Sequence, residues 1–536
     1  MKNITHLQSK TLISLLLVVG FILFIYRVGD RDLWAPDEDE YAQISREMIR
    51  SQNWIFPTVN GEPWTIKPVL YNWLISAISL PWGDVDEFRA RIFSSLAALG
   101  TVLVTFHLGK MAFTPLTGFL SALVLATSLL FLQHARWSQT YMLSTFFAAL
   151  ASYLFFRGYG AAERKTISYL LMYAAVALGV LTMGPVNLAI PGLVIFIYLV
   201  VMKDLKHILK MKMVLGILIF SAITLPWYVL VSVKSEYGSE LLISTNILRY
   251  FTSLHHAQPF YYYFKDLPWA FFPWSLFLPS AFLLAFSSRS KEDDKPLKFI
   301  FVWIIVLFVF FSISVGKRPQ YILSIYPALA LLVGYLGDRA VQFWQDRYYQ
   351  KAIIIPSLLF FGILALLTVA VPVAAGIYVK HELSLAIGMS AITGIFAFMI
   401  WFAWRKKQAQ QLILLPAGFV VAFTIYAVHF LIPMMEEHKS PRPFCEEITK
   451  RVEKGADWAM YQFYRAAYVY YTDSFTKVLN TEEELNRFLN QPNQSIVAMR
   501  DKEYQKLNES FKVMYPLIYQ KKIGHRLMVL ISNQGG

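Results

Sequence analysis

The sequence has little charge and almost no cysteine. Asp, Glu, Lys and Arg make up only 16% of its 536 residues, whereas soluble globular proteins carry about 25%. Cys445 is the single cysteine, which excludes an intrachain disulfide framework and a cysteine-based metal cluster. The net charge is +14, but the basic residues are scattered and form no stripe typical of nucleic-acid binding. These absences favour a membrane protein.

Long apolar runs fill most of the chain, and 56% of its residues are hydrophobic. A bilayer core of about 30 Å needs roughly 20 apolar residues in a helix, and about thirteen stretches satisfy this measure. We therefore predict a polytopic α-helical membrane protein. Segment 70–80 is shorter and predicts an interfacial helix, with a full span as the alternative. The predicted spans are 10–28, 90–109, 114–133, 141–158, 167–184, 186–202, 213–233, 271–287, 298–315, 320–337, 353–378, 383–404 and 411–434.

Positive charge predicts the orientation of these spans. The start of the chain is typical of a signal anchor rather than a cleaved signal peptide. If the N-terminus is cytoplasmic, every predicted cytoplasmic connection carries Lys or Arg, as the positive-inside rule requires. We expect a transmembrane domain over 1–434, with outer loops 29–89 and 234–270. The basic residues are Lys110, Arg157, Arg164, Lys165, Lys203, Lys206, Lys210, Lys212, Arg289, Lys291, Lys295, Lys298, Arg339, Arg347, Lys351, Arg405, Lys406 and Lys407.

The C-terminal region, 435–536, differs in composition and is predicted to be a small soluble α/β domain outside the cytoplasm. It alternates apolar stretches at 458–461, 468–471 and 495–499 with a polar, helix-like segment at 481–489.

The first outer loop begins with an unusual acidic run, Asp37-Glu38-Asp39-Glu40, directly after Pro36. Proline followed by acids is typical of a helix start, where carboxylates favour the positive end of the helix dipole. An apolar stripe follows at helical spacing from Tyr41 to Ile49. Two interpretations remain open, namely an amphipathic helix lying on the membrane with its charges in water, or a functional carboxylate cluster.

Lys67 is a candidate cation further along the same loop. An Asn60-Gly61 pair predicts a tight turn shortly before it, and an apolar segment follows. Lys67 is therefore expected near the headgroup level, where it could extend its ammonium into water or bind a lipid phosphate. A second basic site, Lys317-Arg318, lies in a short predicted outer loop. Because this position opposes the positive-inside rule, it calls for a ligand such as phosphate.

The loop motifs together resemble those of the GT-C membrane glycosyltransferases. The segments PDEDEYAQISREM, NWIFPTVNGEPWTIKPVLYNWL and FRAR occur in order between Pro36 and Arg91. They are similar to the first external loop of the lipid A aminoarabinose transferases and of protein mannosyltransferase-like enzymes. The resemblance implies a bacterial inner-membrane enzyme with a periplasmic C-terminal domain. It further implies sugar transfer from a polyprenyl-phosphate donor to a lipid A-like glycolipid or another periplasmic acceptor, with inversion.

The resemblance also implies roles for individual residues. Asp37 matches the catalytic aspartate of the family, while Lys67, Lys317 and Arg318 would bind the donor phosphate. Arg46 is expected to pair with the acidic run. The residues expected on the acceptor side or behind the reacting groups are Glu38, Tyr41, Arg46, Arg136 and Tyr321.

The metal requirement remains open at this point. His255 and His256 could bind a divalent metal, or could form ordinary hydrogen bonds within the second outer loop. The chain also departs from its relatives, since Tyr141 stands where many carry an aspartate and Ile66 where some carry a glutamate associated with a metal. These departures leave the metal, the sugar and the acceptor undetermined.

Two other classes of function compete with the enzyme. A flippase or transporter of a lipid-linked sugar usually shows polar or broken helices at mid-membrane and paired halves, whereas here the acids cluster in one outer loop. A membrane scaffold leaves both the acidic run and the outer Lys-Arg pair unexplained. The sequence therefore favours the glycosyltransferase.

Overall fold

The computed structural model describes residues 8–34, 36–64, 66–160, 165–234, 257–287 and 291–534. Its contacts divide the chain into two compact units. The helical unit comprises Met1–Arg27, Thr65–Tyr71 and Ile92–His429. The α/β unit comprises Val28–Trp64, Asn72–Arg91 and Phe430–Gly536.

Every predicted span overlaps one or more helices in the described residues. The helix Pro115–Ala126 shows the local cause at its start, since Thr114 Oγ1 accepts the Thr117 N–H at 3.0 Å and Pro115 occupies the first helical position. The helices before residue 430 are Ser9–Gly20, Glu38–Ser51, Leu70–Ser79, Glu87–Ala112, Pro115–Ala126, Leu129–Ala135, Thr140–Gly160, Lys165–Met183, Val186–Val201, Met213–Lys234, Tyr262–Ala270, Leu278–Ser287, Lys291–Ile313, Tyr326–Gln342, Arg347–Tyr378, Leu383–Arg405 and Ala409–Tyr426.

Eight helices in the described residues are long and apolar enough to cross a membrane, or ten if two bent pairs are each one span. The pair Pro115–Ala126 and Leu129–Ala135 bends by 70°, and the pair Tyr262–Ala270 and Trp274–Ser287 by 112°. The chain is thus a multi-pass membrane protein, while the count of thirteen remains a prediction. Leu70–Ser79 has 10 residues and is about 15 Å long, which is too short for the full span considered as an alternative.

Close helix contacts in the helical unit depend on small residues. A Cβ on Gly118 would lie 2.4 Å from the backbone oxygen of Phe106, and one on Gly334 would lie 2.1 Å from Ser121 Oγ. Small residues let helices approach closely in lipid, where dispersion rather than water exclusion drives packing.

The helical unit also contains a buried carboxylate with a hydrogen-bond partner, since Thr117 Oγ1 donates to Asp338 Oδ2 at 2.6 Å.

The α/β unit combines a small hairpin with a five-stranded sheet. The hairpin strands are β1 (Thr58–Val59) and β2 (Glu62–Pro63), joined by the predicted Asn-Gly turn. The sheet strands are β3 (Asp457–Tyr461), β4 (Lys477–Leu479), β5 (Ser495–Arg500), β6 (Leu517–Ile523) and β7 (Arg526–Ser532). The helices after residue 430 are Ile432–Lys439, Arg442–Val452, Ala466–Thr472, Glu482–Leu489, Asp501–Tyr504 and Glu509–Met514.

The sheet has the order β4-β3-β5-β7-β6. β3 pairs in parallel with β4 and β5, and β7 pairs antiparallel with β5 and β6. Alternate residues of β5 face opposite cores, because Val497 and Met499 join one cluster while Ile496 and Ala498 join the other. The predicted C-terminal α/β domain is therefore present.

The grouping of the first loop differs from the expected domain division. The sequence predicts that loop 29–89 belongs with the domain 1–434, whereas contacts place most of it with the C-terminal sheet. Polar pairs account for this grouping, since Asn60 Nδ2 donates to the Thr476 carbonyl oxygen at 2.8 Å and Arg442 contacts Glu87. Such pairs between distant segments leave no periodic signal in the sequence.

Candidate active site

The acidic run begins the helix Glu38–Ser51, with Glu38, Asp39 and Glu40 in its first turn. Of its 14 residues, 11 are buried. A helix lying on a membrane with its charges in water would expose its polar face, so that interpretation of the acidic run is wrong. The buried charges instead form specific pairs within the α/β unit.

Asp37 lies immediately before this helix in a strained backbone conformation. Its φ is 87° and its ψ is −44°, a region that residues with a Cβ rarely occupy. Its side chain is half-buried and makes no capping hydrogen bond to the helix. Strain of this kind persists only where the surroundings impose it, and it is found often at functional sites.

Glu38 anchors the helix start through two arginines. Arg31 donates to both of its carboxylate oxygens at 2.7 and 2.9 Å, and Arg91 Nε donates to Oε1 at 2.9 Å. Burial alone would raise the pKa of Glu38, but the two guanidinium charges outweigh it and hold the pKa at about 2. With 1% exposure, Glu38 supports the position of Asp37 and does not present its carboxylate to solvent.

Arg91 also holds the chain that leads into the acidic run. Its guanidinium donates to the backbone oxygens of Val28, Arg31 and Asp32 at 2.7–3.0 Å. In the sequence, Arg91 is recognised only as the last residue of the FRAR motif, and no pattern predicts a role for Arg31. The signal in the sequence for such arginines is the acidic run itself, because buried carboxylates require cationic partners elsewhere in the chain.

Asp39 and Glu40 lie in environments that favour their neutral forms. Burial raises the pKa of Asp39, although its Oδ2 accepts the Ala467 N–H at 3.0 Å. Burial, together with the charges of Asp39 and Asp37, raises the pKa of Glu40 to about 7. The acidic run therefore contains one firmly ionised member, Glu38, and two members that resist ionisation.

Arg46 does not pair with the acidic run, and that expectation is wrong. Its Nε donates to Asp84 Oδ1 at 2.6 Å and its Nη1 to the Tyr470 carbonyl oxygen at 2.6 Å. Two turns of helix separate Arg46 from the run, so Arg31 and Arg91 provide the pairing charges instead. Tyr41 is buried, and its ring meets the ring of Trp64 edge to face at 5.8 Å.

The predicted phosphate ligands belong to the helical unit. Lys317 is buried, and its Nζ donates to the backbone oxygen of Gln258 at 2.9 Å and to that of Ser314. Burial lowers its pKa. Arg318 is half-buried and precedes the 3₁₀ turn Pro319–Ile325, while Lys67 is half-buried ahead of Leu70–Ser79.

Two further predicted residues also lie in the helical unit. Arg136 donates to the backbone oxygens of Leu23 and Tyr26 at 2.9 and 3.0 Å, so it caps the end of the first helical segment. The ring of Tyr321 lies 5.9 Å from the ring of Tyr141. The resemblance predicts an aspartate at this position in many relatives. In this chain Tyr141 makes an aromatic contact with Tyr321 instead.

The metal prediction remains untested. His255 and His256 lie outside the described residues. Among the residues that are described, no group of three or more His, Cys, Asp or Glu side chains is arranged to hold a metal ion.

Comparison with known proteins agrees with this architecture. Residues 66–229 match the family model described as dolichyl-phosphate-mannose-protein mannosyltransferase. An uncharacterised protein of Aquifex aeolicus is 28% identical over 438 residues, covering 81% of each chain. The undecaprenyl phosphate-alpha-4-amino-4-deoxy-L-arabinose arabinosyl transferase 2 of Proteus mirabilis is 28% identical over 407 residues, covering 72% of this chain and 70% of its own.

A solved structure shows the same fold. The chain aligns with the crystal structure of ArnT from Cupriavidus metallidurans bound to undecaprenyl phosphate, with a TM-score of 0.81, 20% identity and 99% coverage of both chains. Motifs, fold and relatives therefore agree: the chain is a polytopic membrane protein with the GT-C fold. In sequence it is similar to the aminoarabinose transferases and, over residues 66–229, to the protein mannosyltransferase model, as the first-loop motifs predict.

Proposed function

We propose that this chain is a glycosyltransferase that moves a monosaccharide from a polyprenyl-phosphate donor to a hydroxyl of a lipid A-like glycolipid. The strained backbone of Asp37, held beside the Glu38–Arg31–Arg91 cluster, is the observation that carries the proposal. The name of the Proteus relative supports the donor class, because it specifies an undecaprenyl phosphate-linked sugar. We place the reaction at the outer face of a bacterial inner membrane, with a cytoplasmic N-terminus and a periplasmic α/β unit.

In the proposed reaction, Asp37 accepts the proton of the acceptor hydroxyl. The hydroxyl oxygen forms a bond to the anomeric carbon as the bond from that carbon to the phosphate oxygen breaks. The polyprenyl phosphate leaves with the electron pair, so its negative charge grows in the transition state. Attack opposite the leaving group inverts the anomeric centre.

Lys67 and Arg318 are proposed to bind this phosphate, since cations placed where charge develops lower the barrier to its departure. Lys317 is proposed to contribute in a different way. Two of its three N–H donors already bond to backbone oxygens, which leaves one donor for a ligand. Its main effect would then be to fix the loop that carries Arg318.

The experiment is in vitro transfer by the full-length protein in lipid nanodiscs. The donor is undecaprenyl-phosphate aminoarabinose, the acceptor is purified lipid A, and the products are analysed by mass spectrometry. A mass increase of one sugar residue on lipid A supports the proposal. If donor and lipid A both stay unchanged, while membranes of cells with and without the gene contain identical glycolipids, the proposal is overturned.

Donor binding is tested separately with Lys67→Ala. We expect the variant to need about tenfold more donor for half-maximal rate, since a charge-assisted hydrogen bond contributes on the order of 1.5–3 kcal/mol. Lys351→Ala, which removes a lysine from a predicted cytoplasmic connection, is the matched control. Equal donor dependence in Lys67→Ala and the control would remove Lys67 from the phosphate site.

A further inference from the structure

A cavity of about 490 Å³ lies within the α/β unit, against the helix Glu38–Ser51. Its walls come from this helix, from the β1–β2 hairpin and from the residues that follow the helix Ala466–Thr472. The volume lies in the range of small-molecule sites, roughly 300–1,000 Å³. Asp37 is not among its lining residues, so the proposed catalysis does not account for it.

One buried acceptor at this cavity lacks a partner. Gln43 lines the cavity, is 3% exposed and donates from Nε2 to Glu47 at 2.8 Å. Its Oε1 accepts no hydrogen bond within the described part of the chain. A buried polar atom left in this state is costly. A ligand that donates an O–H or N–H would remove the cost.

The charges around the cavity are already balanced. Arg46 pairs with Asp84, and Arg50 Nη1 lies 2.5 Å from Asp473 Oδ1. Glu47 accepts from Thr58 Oγ1 and from the N–H groups of Asn60 and Gly61. The lining therefore contains two arginines and two carboxylates, all paired, and offers no surplus charge to a phosphate.

An exposed aromatic ring completes the set of groups. Phe475 lines the cavity and is 63% exposed, so its ring is open to contact with a ligand. Planar polar side chains beside an open aromatic face suit a saccharide, whose hydroxyls form hydrogen bonds while its C–H face packs on the ring. We propose that this cavity is a binding site for a neutral saccharide.

In the proposed complex, the saccharide packs on Phe475 and donates a hydrogen bond to Gln43 Oε1. Arg50, Asp473 and Asn53 lie at the cavity and provide further donors and acceptors. Binding requires no sugar donor and no catalysis, so the inference stands or falls independently of the proposed reaction. A glycolipid headgroup and a soluble oligosaccharide share the required chemistry.

The test is direct binding to the full-length protein in phospholipid nanodiscs, measured by calorimetry. The probes are cellobiose and N,N′-diacetylchitobiose, with inorganic phosphate as the charged alternative. We expect saturable binding of a disaccharide, weakened about three- to tenfold by Phe475→Ala through loss of the aromatic face. Val513→Ala, which trims an exposed side chain elsewhere in the same unit, should leave affinity unchanged.

Gln43→Met distinguishes a ligand role from a structural one. It keeps the side-chain length and removes the unpartnered oxygen together with the Nε2 donor to Glu47, which retains three other donors. The thermal midpoint should therefore be kept while disaccharide affinity falls about fivefold. Failure of both disaccharides to bind the parent protein overturns the proposal. So does binding that Phe475→Ala and Gln43→Met leave unchanged, or phosphate binding that displaces the disaccharide.

Nanodiscs containing a glucosyl diacylglycerol separate the two sources of ligand. Competition between this glycolipid and the disaccharide supports the site and identifies a lipid headgroup as its occupant. Disaccharide binding without such competition supports the site and identifies a soluble saccharide.

Discussion

At the residue scale, one buried carboxylate organises the candidate site. Glu38 accepts from Arg31, Arg91 and the Trp34 N–H, and the strained Asp37 directly precedes it. The sequence motif identifies the acidic run, but it does not show which carboxylate can react and which one supports the structure. That distinction depends on Arg31 and Arg91, whose positions are fixed only by the folded chain.

Replacing Glu38 with glutamine should destabilise the α/β unit severely. Two buried guanidinium groups would lose their countercharge, and breaking a buried pair in this way costs about 3–5 kcal/mol. The thermal midpoint of the full-length protein in detergent measures the effect. Glu509→Gln is the control, because the Glu509 carboxylate is exposed to solvent where it pairs with Lys512, and surface ion pairs contribute about 0–1 kcal/mol. Equal midpoints for the two variants would contradict the anchoring role of Glu38.

Glu40 should make stability depend on pH near neutrality. Its pKa is raised from 4.5 to about 7, so the folded chain holds this proton more tightly than the unfolded chain. The resulting stabilisation is present below about pH 4.5 and is lost as the pH rises through about 7.

The thermal midpoint of the parent protein should therefore fall, relative to that of Glu40→Gln, between about pH 4.5 and 7. Glu447→Gln is the control, because Lys450 and Arg451 lower the pKa of Glu447 and move its titration below this window. Parallel curves for the parent and Glu40→Gln would show that Glu40 titrates normally.

At the scale of elements, the sequence predicts which segments form helices or strands. It predicts less well where helices bend and which elements pack together. The Thr481 segment is helical as expected, and its capping box is formed with Glu484. The stretches at 458–461 and 495–499 are strands, but 468–471 lies in the helix Ala466–Thr472. A short apolar run does not distinguish the two structures. Here the helix packs beside Phe444 and buries Tyr468 and Tyr470. Tertiary packing therefore determines the structure of this segment.

The β1–β2 hairpin depends on its left-handed turn. Gly61 has φ 77° with open space around its Cα, and Asn60 has φ 56°. Gly61→Ala should therefore cost about 1–2 kcal/mol through backbone strain alone. Gly61→Asn should cost less, since asparagine tolerates this region. The rate of proteolytic cleavage between residues 58 and 63 measures the difference, and equal rates for both variants would contradict a strain-based cost.

At the scale of the whole molecule, composition alone predicted the class of protein. Low charge and long apolar runs are typical of a chain whose solvent is the bilayer, and each predicted span overlaps helix in the described residues. The association of the first loop with the C-terminal sheet was not predictable, because it depends on ion pairs such as Arg442–Glu87 between residues far apart in the chain.

The proposed orientation can be measured by cysteine labelling. Cys445 is fully buried, so it should give little background. Val513→Cys lies on an exposed helix of the α/β unit and should react with a membrane-impermeant maleimide in intact spheroplasts. Lys406→Cys, in a predicted cytoplasmic connection, should react only after permeabilisation. The reverse pattern would place the α/β unit in the cytoplasm.

The measurement that tests the central claim most directly is sugar transfer by Asp37→Asn in nanodiscs. Asparagine keeps the size of the side chain but cannot accept the acceptor proton. The account predicts a loss of rate of at least about 100-fold, the usual scale of general-base catalysis, with thermal midpoint and donor binding retained. Transfer at the parental rate by a folded Asp37→Asn protein would contradict it.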